Sequence, residues 1–167
     1  MVEGLSKQGV LSKDELSKLP GMPSKERIKK GSVVIIECAE EIPCNPCEIA
    51  CPQGAIEIGE NINTLPVLKE DLCTGCGVCI AMCPGLAIFT VDLIFSKKEG
   101  LVKIPHEFLP LPKNGEIVKC LNREGKVVSE GRIVKVSNPK GNDRTPVISV
   151  AVPKEVAMDV RGIKIKI

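Results

Sequence analysis

The sequence predicts an α+β fold in which a core of two related halves lies between an N-terminal, partly helical arm and a small C-terminal β-barrel or sheet. Three observations predict this arrangement. Residues 1–31 are polar and contain two helix-capping signals, residues 32–95 hold eight of the nine cysteines in two similar runs, and residues 113–167 alternate apolar runs with turn signals. Residues 96–112 are rich in proline near their end and are predicted to be a linker.

Two short helices are predicted in the arm. Ser12 is followed three residues later by Glu15, which is the spacing of a capping box. A second helix is predicted to start at Ser24 and to end at Gly31, because glycine readily adopts the conformation that closes a helix. The arm is interpreted as a surface extension, with an arm that grips a partner as the alternative.

Several short strands are predicted in the C-terminal part. Residues 115–136 are predicted to form a β-hairpin with its turn at residues 123–125, and residues 146–152 to form a further strand. A proline at the start favours one helical turn over residues 153–159. The alternative for the proline-rich residues 105–112 is an extension of the core's sheet rather than a linker.

Composition excludes several classes of function. The 167 residues include three Phe and neither Tyr nor Trp, and the formal net charge of +2 offers no basic patch, so we expect no nucleic-acid partner. No run approaches the ~20 apolar residues that a membrane span needs, and the start lacks a basic segment followed by an apolar one. We expect a cytoplasmic protein whose thiols stay reduced, so nine cysteines predict metal binding rather than disulfides.

The second cysteine run has a spacing that is typical of iron–sulfur proteins. It reads Cys73-x2-Cys76-x2-Cys79-x3-Cys83-Pro84, the pattern that binds [4Fe–4S] clusters in bacterial ferredoxins. Three thiolates two residues apart let one tight loop hold three corners of a cubane, and Gly75 and Gly77 permit the positive φ angles that such a loop can require. Pro84 turns the chain away, so Cys83 is predicted to point to the other cluster.

The first run, Cys38-x5-Cys44-x2-Cys47-x3-Cys51-Pro52, repeats most of the second. A shift of 32 residues places Cys44, Cys47, Cys51, Pro52, Ala55 and Ile56 on Cys76, Cys79, Cys83, Pro84, Ala87 and Ile88. Cys73 falls on Glu41, and the nearest cysteine is Cys38, three residues earlier. We expect the loop 39–43 to bulge so that Cys38 still ligates; the alternatives are a [3Fe–4S] cluster or recruitment of Cys120.

Zinc is the main competing metal. Structural zinc sites usually bring paired C-x2-C arms together, whereas Cys73, Cys76 and Cys79 form a triple run and the Cys-Pro pair occurs twice. The plant-type [2Fe–2S] spacing is absent from the sequence. The residues therefore favour two [4Fe–4S] clusters over zinc.

These residues resemble the bacterial dicluster ferredoxin family over residues 33–91, and the pattern Cys-Pro-x-x-Ala-Ile occurs at both 51–56 and 83–88. The resemblance implies two β-hairpins that cover two short helices, with clusters ligated across the repeat. It assigns one cluster to Cys38, Cys44, Cys47 and Cys83 and the other to Cys73, Cys76, Cys79 and Cys51.

The whole chain is similar to the small ferredoxin-type subunit of clostridial FAD-dependent amino-acid dehydrogenase complexes of the proline, hydroxyproline or octopine type. The similarity is carried by residues 23–31, by Ile42-Pro-Cys-Asn-Pro-Cys47 and by the β-rich C-terminal part. It implies an electron-relay subunit of a hetero-oligomer, with FAD on a partner subunit and often a [2Fe–2S] protein beside it.

We expect no catalytic site in this chain. Its single histidine, His106, follows Pro105 in the predicted linker and is interpreted as a solvated or packed residue. No Gly-x-Gly-x-x-Gly or P-loop pattern occurs, so FAD or NAD would bind to another chain. The ninth cysteine, Cys120, is interpreted as an unreactive core residue. The predicted function is electron relay within a flavin-dependent complex; the alternative is a self-standing soluble ferredoxin.

Overall fold

The computed structural model describes residues 7–142 and 144–164. The first six residues of the predicted arm lie outside the described residues. The expectation of no leader segment depends on these six residues. The described helices include α1 (Lys13–Ser17), α2 (Lys25–Ile28), α3 (Pro46–Ile49) and α4 (Val78–Met82), with 3-10 turns at Lys140–Asn142 and Lys154–Val156. The strands are β1 (Val33–Ile36), β2 (Ile56–Glu57), β3 (Val67–Leu68), β4 (Ile88–Asp92), β5 (Glu99–Pro105), β6 (Ile117–Leu121), β7 (Val127–Ser137), β8 (Val147–Pro153) and β9 (Gly162–Ile163).

A seven-stranded antiparallel sheet dominates the fold. Its strand order is β1-β4-β5-β8-β7-β6-β9, and a separate two-stranded sheet pairs β2 with β3. β1 pairs with β4 from Val33 opposite Val91 to Ile36 opposite Ile88, which joins the two ends of the cysteine-rich segment. The chain therefore has a mixed α and β fold with few helices and a mostly antiparallel sheet, in agreement with the predicted class.

The main difference from the sequence-based expectation concerns the linker. β5 occupies part of the segment predicted as a linker, residues 96–112, and pairs with β4 on one side and β8 on the other. Its alternate residues Gly100, Val102 and Ile104 are buried, which is the period-2 pattern of a strand. The C-terminal strand β8 therefore joins the core's sheet through β5, whereas residues 106–112, for which an extension of the sheet was the alternative, lie outside the strands. Where folding units begin and end stays a prediction.

The predicted C-terminal elements are present. β6 and β7 form the hairpin, and in its turn the Gly125 N–H donates to the Asn122 carbonyl (3.0 Å) while Gly125 adopts a φ of 74°. The strand predicted over residues 146–152 is β8, and the helical turn after it is the 3-10 turn Lys154–Val156. Buried side chains of these strands form one apolar core with those of β4 and β5.

Both predicted N-terminal helix caps in the arm are present, although α2 ends at Ile28 and not at Gly31. The Glu15 N–H donates to Ser12 Oγ (3.3 Å) and the Ser12 N–H donates to Glu15 Oε2 (2.8 Å), which completes the capping box of α1. At the start of α2, Ser24 Oγ accepts from the Arg27 N–H (3.0 Å). Ser24 also donates from its N–H and hydroxyl to the Glu70 carboxylate (2.6 and 2.8 Å), so α2 is tied to the cysteine-rich segment rather than extending from it.

A buried ion cluster joins the cysteine-rich segment to the end of the chain. Glu37 follows β1 directly, and its carboxylate accepts hydrogen bonds from Arg123 Nε (2.8 Å) and from Arg161 Nε and Nη2 (2.9 and 2.7 Å). The Arg161 guanidinium also lies 4.7 Å from the centre of the Phe89 ring. Burial alone would raise the pKa of Glu37, but the hydrogen bonds and charges of the two arginines outweigh it and lower that pKa.

Removing Arg161 should destabilise the sheet. In Arg161→Met the Glu37 carboxylate keeps only Arg123, and loss of one partner from a buried ion pair costs about 3 kcal/mol. We expect the Tm to fall by about 6–12 °C in a chain of this length, measured by circular dichroism under anaerobic conditions. The control is Lys126→Met, which removes an exposed ion pair with Glu124 worth about 1 kcal/mol or less. Equal Tm values for the two variants would contradict this role of the ion cluster.

Candidate functional site

Eight cysteines line two separate cavities. The first is lined by Cys38, Cys44, Cys47 and Cys83, and the second is lined by Cys51, Cys73, Cys76 and Cys79. The structure thus brings together the same two sets that the family resemblance implied, with Cys51 and Cys83 exchanged between the repeats. That these thiols ligate clusters stays a prediction.

Two short helices carry the most buried of these thiols. α3 begins at Pro46, whose ring presets the φ angle of a first helical residue, and it places Cys47 in the first cavity. α4 begins after Gly77 and places Cys79 in the second cavity. Cys83 follows α4 with an extended backbone (φ −82°, ψ 109°), and it lines the first cavity instead of the second.

The Cys-Pro-x-x-Ala pattern produces the same turn twice. The Ala55 N–H donates to Cys51 Sγ (3.2 Å), and the Ala87 N–H donates to Cys83 Sγ (3.4 Å). The residue before each alanine has a positive φ, 58° in the first turn, where it is glycine, and 52° at Leu86. Both cysteines that cross between the repeats are therefore held by a backbone donor four residues further along the chain.

Cys38 lines the first cavity although it lies three residues outside the repeat. The loop 39–43 connects it to Cys44, which lines the same cavity. Burial raises the pKa of Cys38 and outweighs a backbone hydrogen bond from Glu40 that lowers it, and the charges of Cys83 and Cys44 raise it further, because the three thiols lie close together. Cys120 lines neither cavity; it is fully buried in the sheet's core, and burial raises its pKa to about 11.

Bare thiolates are unfavourable in both cavities. Burial first, and then the negative charges of neighbouring cysteines, raise the pKa of Cys47 to about 11 and that of Cys79 to about 12. Thiolates are the form that binds metal, so four of them share such a space only when a positively charged group compensates them. The donor sets therefore fit a multi-iron cluster, which brings positive charge to all four sulfurs of a cavity.

The loop around the second cavity is tight. Gly75 and Gly77 have φ angles of 65° and 87°, as predicted, and the Gly75 N–H donates to Cys73 Sγ (3.4 Å). The Val34 N–H of β1 donates to the same sulfur (3.5 Å). A Cβ atom at Gly75 would lie 2.5 Å from the backbone carbonyl carbon of Ser32, so a residue with a side chain does not fit there without movement of the backbone.

Two cations that sequence reasoning missed hold this loop. Lys103 in β5 donates from its Nζ to the carbonyls of Gly75 (3.1 Å) and Cys76 (3.0 Å). Arg27 in α2 donates to the Cys73 carbonyl and to the carbonyls of three other residues. No local motif marks either side chain, because each is brought to the loop by an element distant in the sequence.

His106 is a packed residue. It is 5% exposed, its ring lies edge-on to that of Phe108 with the centres 5.9 Å apart, and burial lowers its pKa. It lines neither cysteine cavity. Among the residues that the structure describes, no three His, Cys, Asp or Glu side chains are close enough to hold a single metal ion. Over the same ranges, 7–142 and 144–164, no helix has the length and apolar character of a membrane span.

The chain matches the family described as 4Fe-4S dicluster domain over residues 42–87. The match contains seven of the eight cavity cysteines and begins after Cys38. It supports [4Fe–4S] clusters as the cofactors of the cysteine-rich segment.

Named relatives match parts of the chain. It is 45% identical over 47 residues to a subunit of the ion-translocating oxidoreductase complex of Methanosarcina acetivorans, and the match covers 28% of this chain and 17% of that protein. It is 39% identical over 57 residues to the pyruvate synthase subunit PorD of Methanocaldococcus jannaschii, and the match covers 34% of this chain and 64% of that protein. It is 38% identical over 64 residues to an uncharacterized ferredoxin of the same organism, and the match covers 38% of this chain and 36% of that protein. The chain spans less than two thirds of the length of each relative.

The family match and these relatives support a dicluster ferredoxin with an iron–sulfur electron-transfer function. Two of the relatives are named as subunits, one of an ion-translocating oxidoreductase complex and the other of a pyruvate synthase. The resemblance to an amino-acid dehydrogenase subunit and the flavin-bearing partner are not shown by them.

Replacing Gly75 should empty the second cavity. Gly75→Ala combines an unfavourable positive φ with a clash against backbone, so we expect the anaerobically purified variant to hold about half of the wild-type iron. Gly54→Ala is the matched control, because its φ is 58° but no atom lies within 4 Å of the added carbon, and it should keep the full iron content. Full iron in Gly75→Ala, measured by a colorimetric iron assay, would show that the loop does not need glycine there.

Proposed function

We propose that this chain relays electrons through two [4Fe–4S] clusters as the iron–sulfur subunit of a flavin-dependent oxidoreductase complex. The observation that supports it most is the division of eight cysteines into two four-thiol cavities that exchange one cysteine each. Cys38, Cys44, Cys47 and Cys83 would hold one cluster, and Cys51, Cys73, Cys76 and Cys79 the other. When bound, each cluster accepts and returns one electron.

The protein around the cavities supplies apolar side chains to the first and fixes the ligands of both. Ile36, Ile58 and Ile88 line the first cavity, and each of them is buried. Hydrogen bonds from backbone N–H groups to the cysteine sulfurs orient the ligands and stabilise negative charge at the sulfurs. These contacts let the chain change its charge without a large rearrangement of its backbone.

The two cavities lie next to each other, as a relay requires. Cys47 and Cys79, one from each cavity, belong to the same buried apolar cluster, and α3 packs against α4. The two thiols are close enough for the charge of Cys47 to contribute to the raised pKa of Cys79, after burial and the cysteines of its own cavity. An electron at one cavity is therefore separated from the other by packed side chains and not by solvent.

A partner protein has an exposed apolar surface to contact beside the first cavity. Ile42 lines that cavity and is 51% exposed, Ile49 on α3 is 76% exposed, and Ile62, whose carbonyl accepts from the Cys44 N–H (3.3 Å), is 44% exposed. The proposed partner is a flavoprotein dehydrogenase subunit that oxidises an amino acid, with a possible further [2Fe–2S] subunit. Its flavin lies on the other chain because this sequence has no glycine-rich nucleotide-binding pattern.

Two cysteine variants test whether the first cluster is a full cubane. Cys38→Ala removes a thiol that lines the first cavity, so we expect the [4Fe–4S] signal of one cluster to be lost or converted to that of a [3Fe–4S] cluster in electron paramagnetic resonance. Cys120→Ala removes a buried thiol that lines neither cavity and should keep about eight irons per chain. The ligand assignment fails if Cys120→Ala loses a cluster while Cys38→Ala keeps both.

The complex itself is tested by an anaerobic pull-down from the native cell, with iron and flavin measured in the eluate. A flavoprotein in equal amount with the iron–sulfur chain is the expected result. A chain that carries its full iron but elutes without a partner would overturn the subunit proposal and leave a self-standing ferredoxin.

A further inference from the structure

The two cavities have different charged surroundings. The segment 38–68, which supplies three of the thiols of the first cavity, contains no Lys or Arg and five glutamates: Glu40, Glu41, Glu48, Glu57 and Glu60. Glu40 also lines the first cavity itself. Negative charge in the first cavity therefore lies beside a glutamate.

The second cavity instead has a cation against its loop. The Lys103 ammonium group donates to the Gly75 carbonyl at 3.1 Å and to the Cys76 carbonyl at 3.0 Å. Within the part of the chain that the structure describes, Lys103 makes no ion pair with a carboxylate, so its charge is not neutralised by a direct contact. Arg27 adds a second positive charge, because its guanidinium donates to the Cys73 carbonyl.

Backbone hydrogen bonds to sulfur occur in both cavities. In the second cavity, backbone N–H groups donate twice to Cys73 and once to Cys51. In the first cavity, backbone hydrogen bonds reach Cys83, Cys38 and Cys47. Such bonds raise the reduction potential of an iron–sulfur cluster, so the difference between the two cavities lies in the charged side chains around them.

We propose that Lys103 raises the reduction potential of the cluster in the second cavity above that of the cluster in the first. The cluster in the second cavity is then reduced first. The inference depends on the proposed function. Reduction adds one electron and one negative charge, which a fixed positive charge at the loop stabilises and the glutamates near the first cavity oppose. The chain thereby gives the relay a direction, from the acidic cavity to the one that Lys103 contacts.

The test compares reduction potentials in four anaerobic proteins: wild type, Lys103→Gln, Lys103→Arg and Lys126→Met. Lys103→Gln removes the charge and keeps a side-chain amide that can donate, while Lys103→Arg keeps the charge. Lys126→Met removes one positive charge from an exposed turn and is the control for net charge. Stepwise reduction with dithionite is followed by electron paramagnetic resonance. In proton nuclear magnetic resonance spectra, the paramagnetically shifted signals of the cysteines identify the cluster that is reduced first.

We expect the wild-type electron to appear first at the cluster with Cys73, Cys76 and Cys79. In Lys103→Gln the equilibrium constant for reduction of this cluster should fall by about threefold or more. A tenfold change corresponds to about 59 mV for one electron. Lys103→Arg should restore most of the difference, and Lys126→Met should leave it unchanged.

Two results would overturn the role of Lys103. One is full iron in Lys103→Gln with the wild-type potentials, and the other is a wild-type protein whose first electron rests at the cluster with Cys44 and Cys47. If Lys103→Gln loses the second cluster, the charge effect is tested by comparing Lys103→Arg with wild type. A lower reduction potential of the second cluster in Lys103→Arg, at full iron content, would contradict a charge effect. A wild-type chain that binds no iron would overturn the proposed function as well, so the two failures are distinguishable.

Discussion

The structure depends on how eight thiols can share two small, partly buried spaces. Bare thiolates repel one another there, and burial raises the pKa of Cys47 and Cys79 well above the ordinary value of a thiol. The elements that carry them are short: α3 has four residues, and β2 and β3 have two each. Elements of this length are not stable by themselves, so cluster binding and folding of this segment are expected to be one event.

The long antiparallel sheet supplies the rigid frame for this segment. β1 leads into Cys38 and β4 follows Cys83, and the pairing of these strands fixes both ends of the cysteine-rich loop. β5 then connects that hairpin to β8 and carries Lys103 to the second cavity, while Glu37 ties the first end to Arg123 and Arg161. Residues outside the cysteine-rich segment therefore add a positive charge beside the second cavity and stabilise the end of β1.

Local signals made the cysteine runs, the helix caps and the C-terminal hairpin predictable. The 32-residue repeat places Cys51 and Ala55 on Cys83 and Ala87, and the structure shows the same N–H to sulfur bond at Cys51 and at Cys83. The strand β5 was predicted as part of a linker because that segment ends in several prolines, although β5 pairs with the preceding strand β4 and with the distant strand β8. The contacts of Lys103 and Arg27 were unpredictable because only the folded sheet and the arm bring these cations to the loop.

Native mass spectrometry of the anaerobically purified chain tests the central claim, that the two cavities hold two iron–sulfur cubanes, most directly. The mass separates Fe4S4 from Fe3S4 and from zinc without any assumption about colour or spin. We predict a dominant species that carries two Fe4S4 units and no zinc. A chain that carries one or two zinc ions and no inorganic sulfide would contradict the claim, and one Fe4S4 with one Fe3S4 would contradict the role of Cys38 as a ligand.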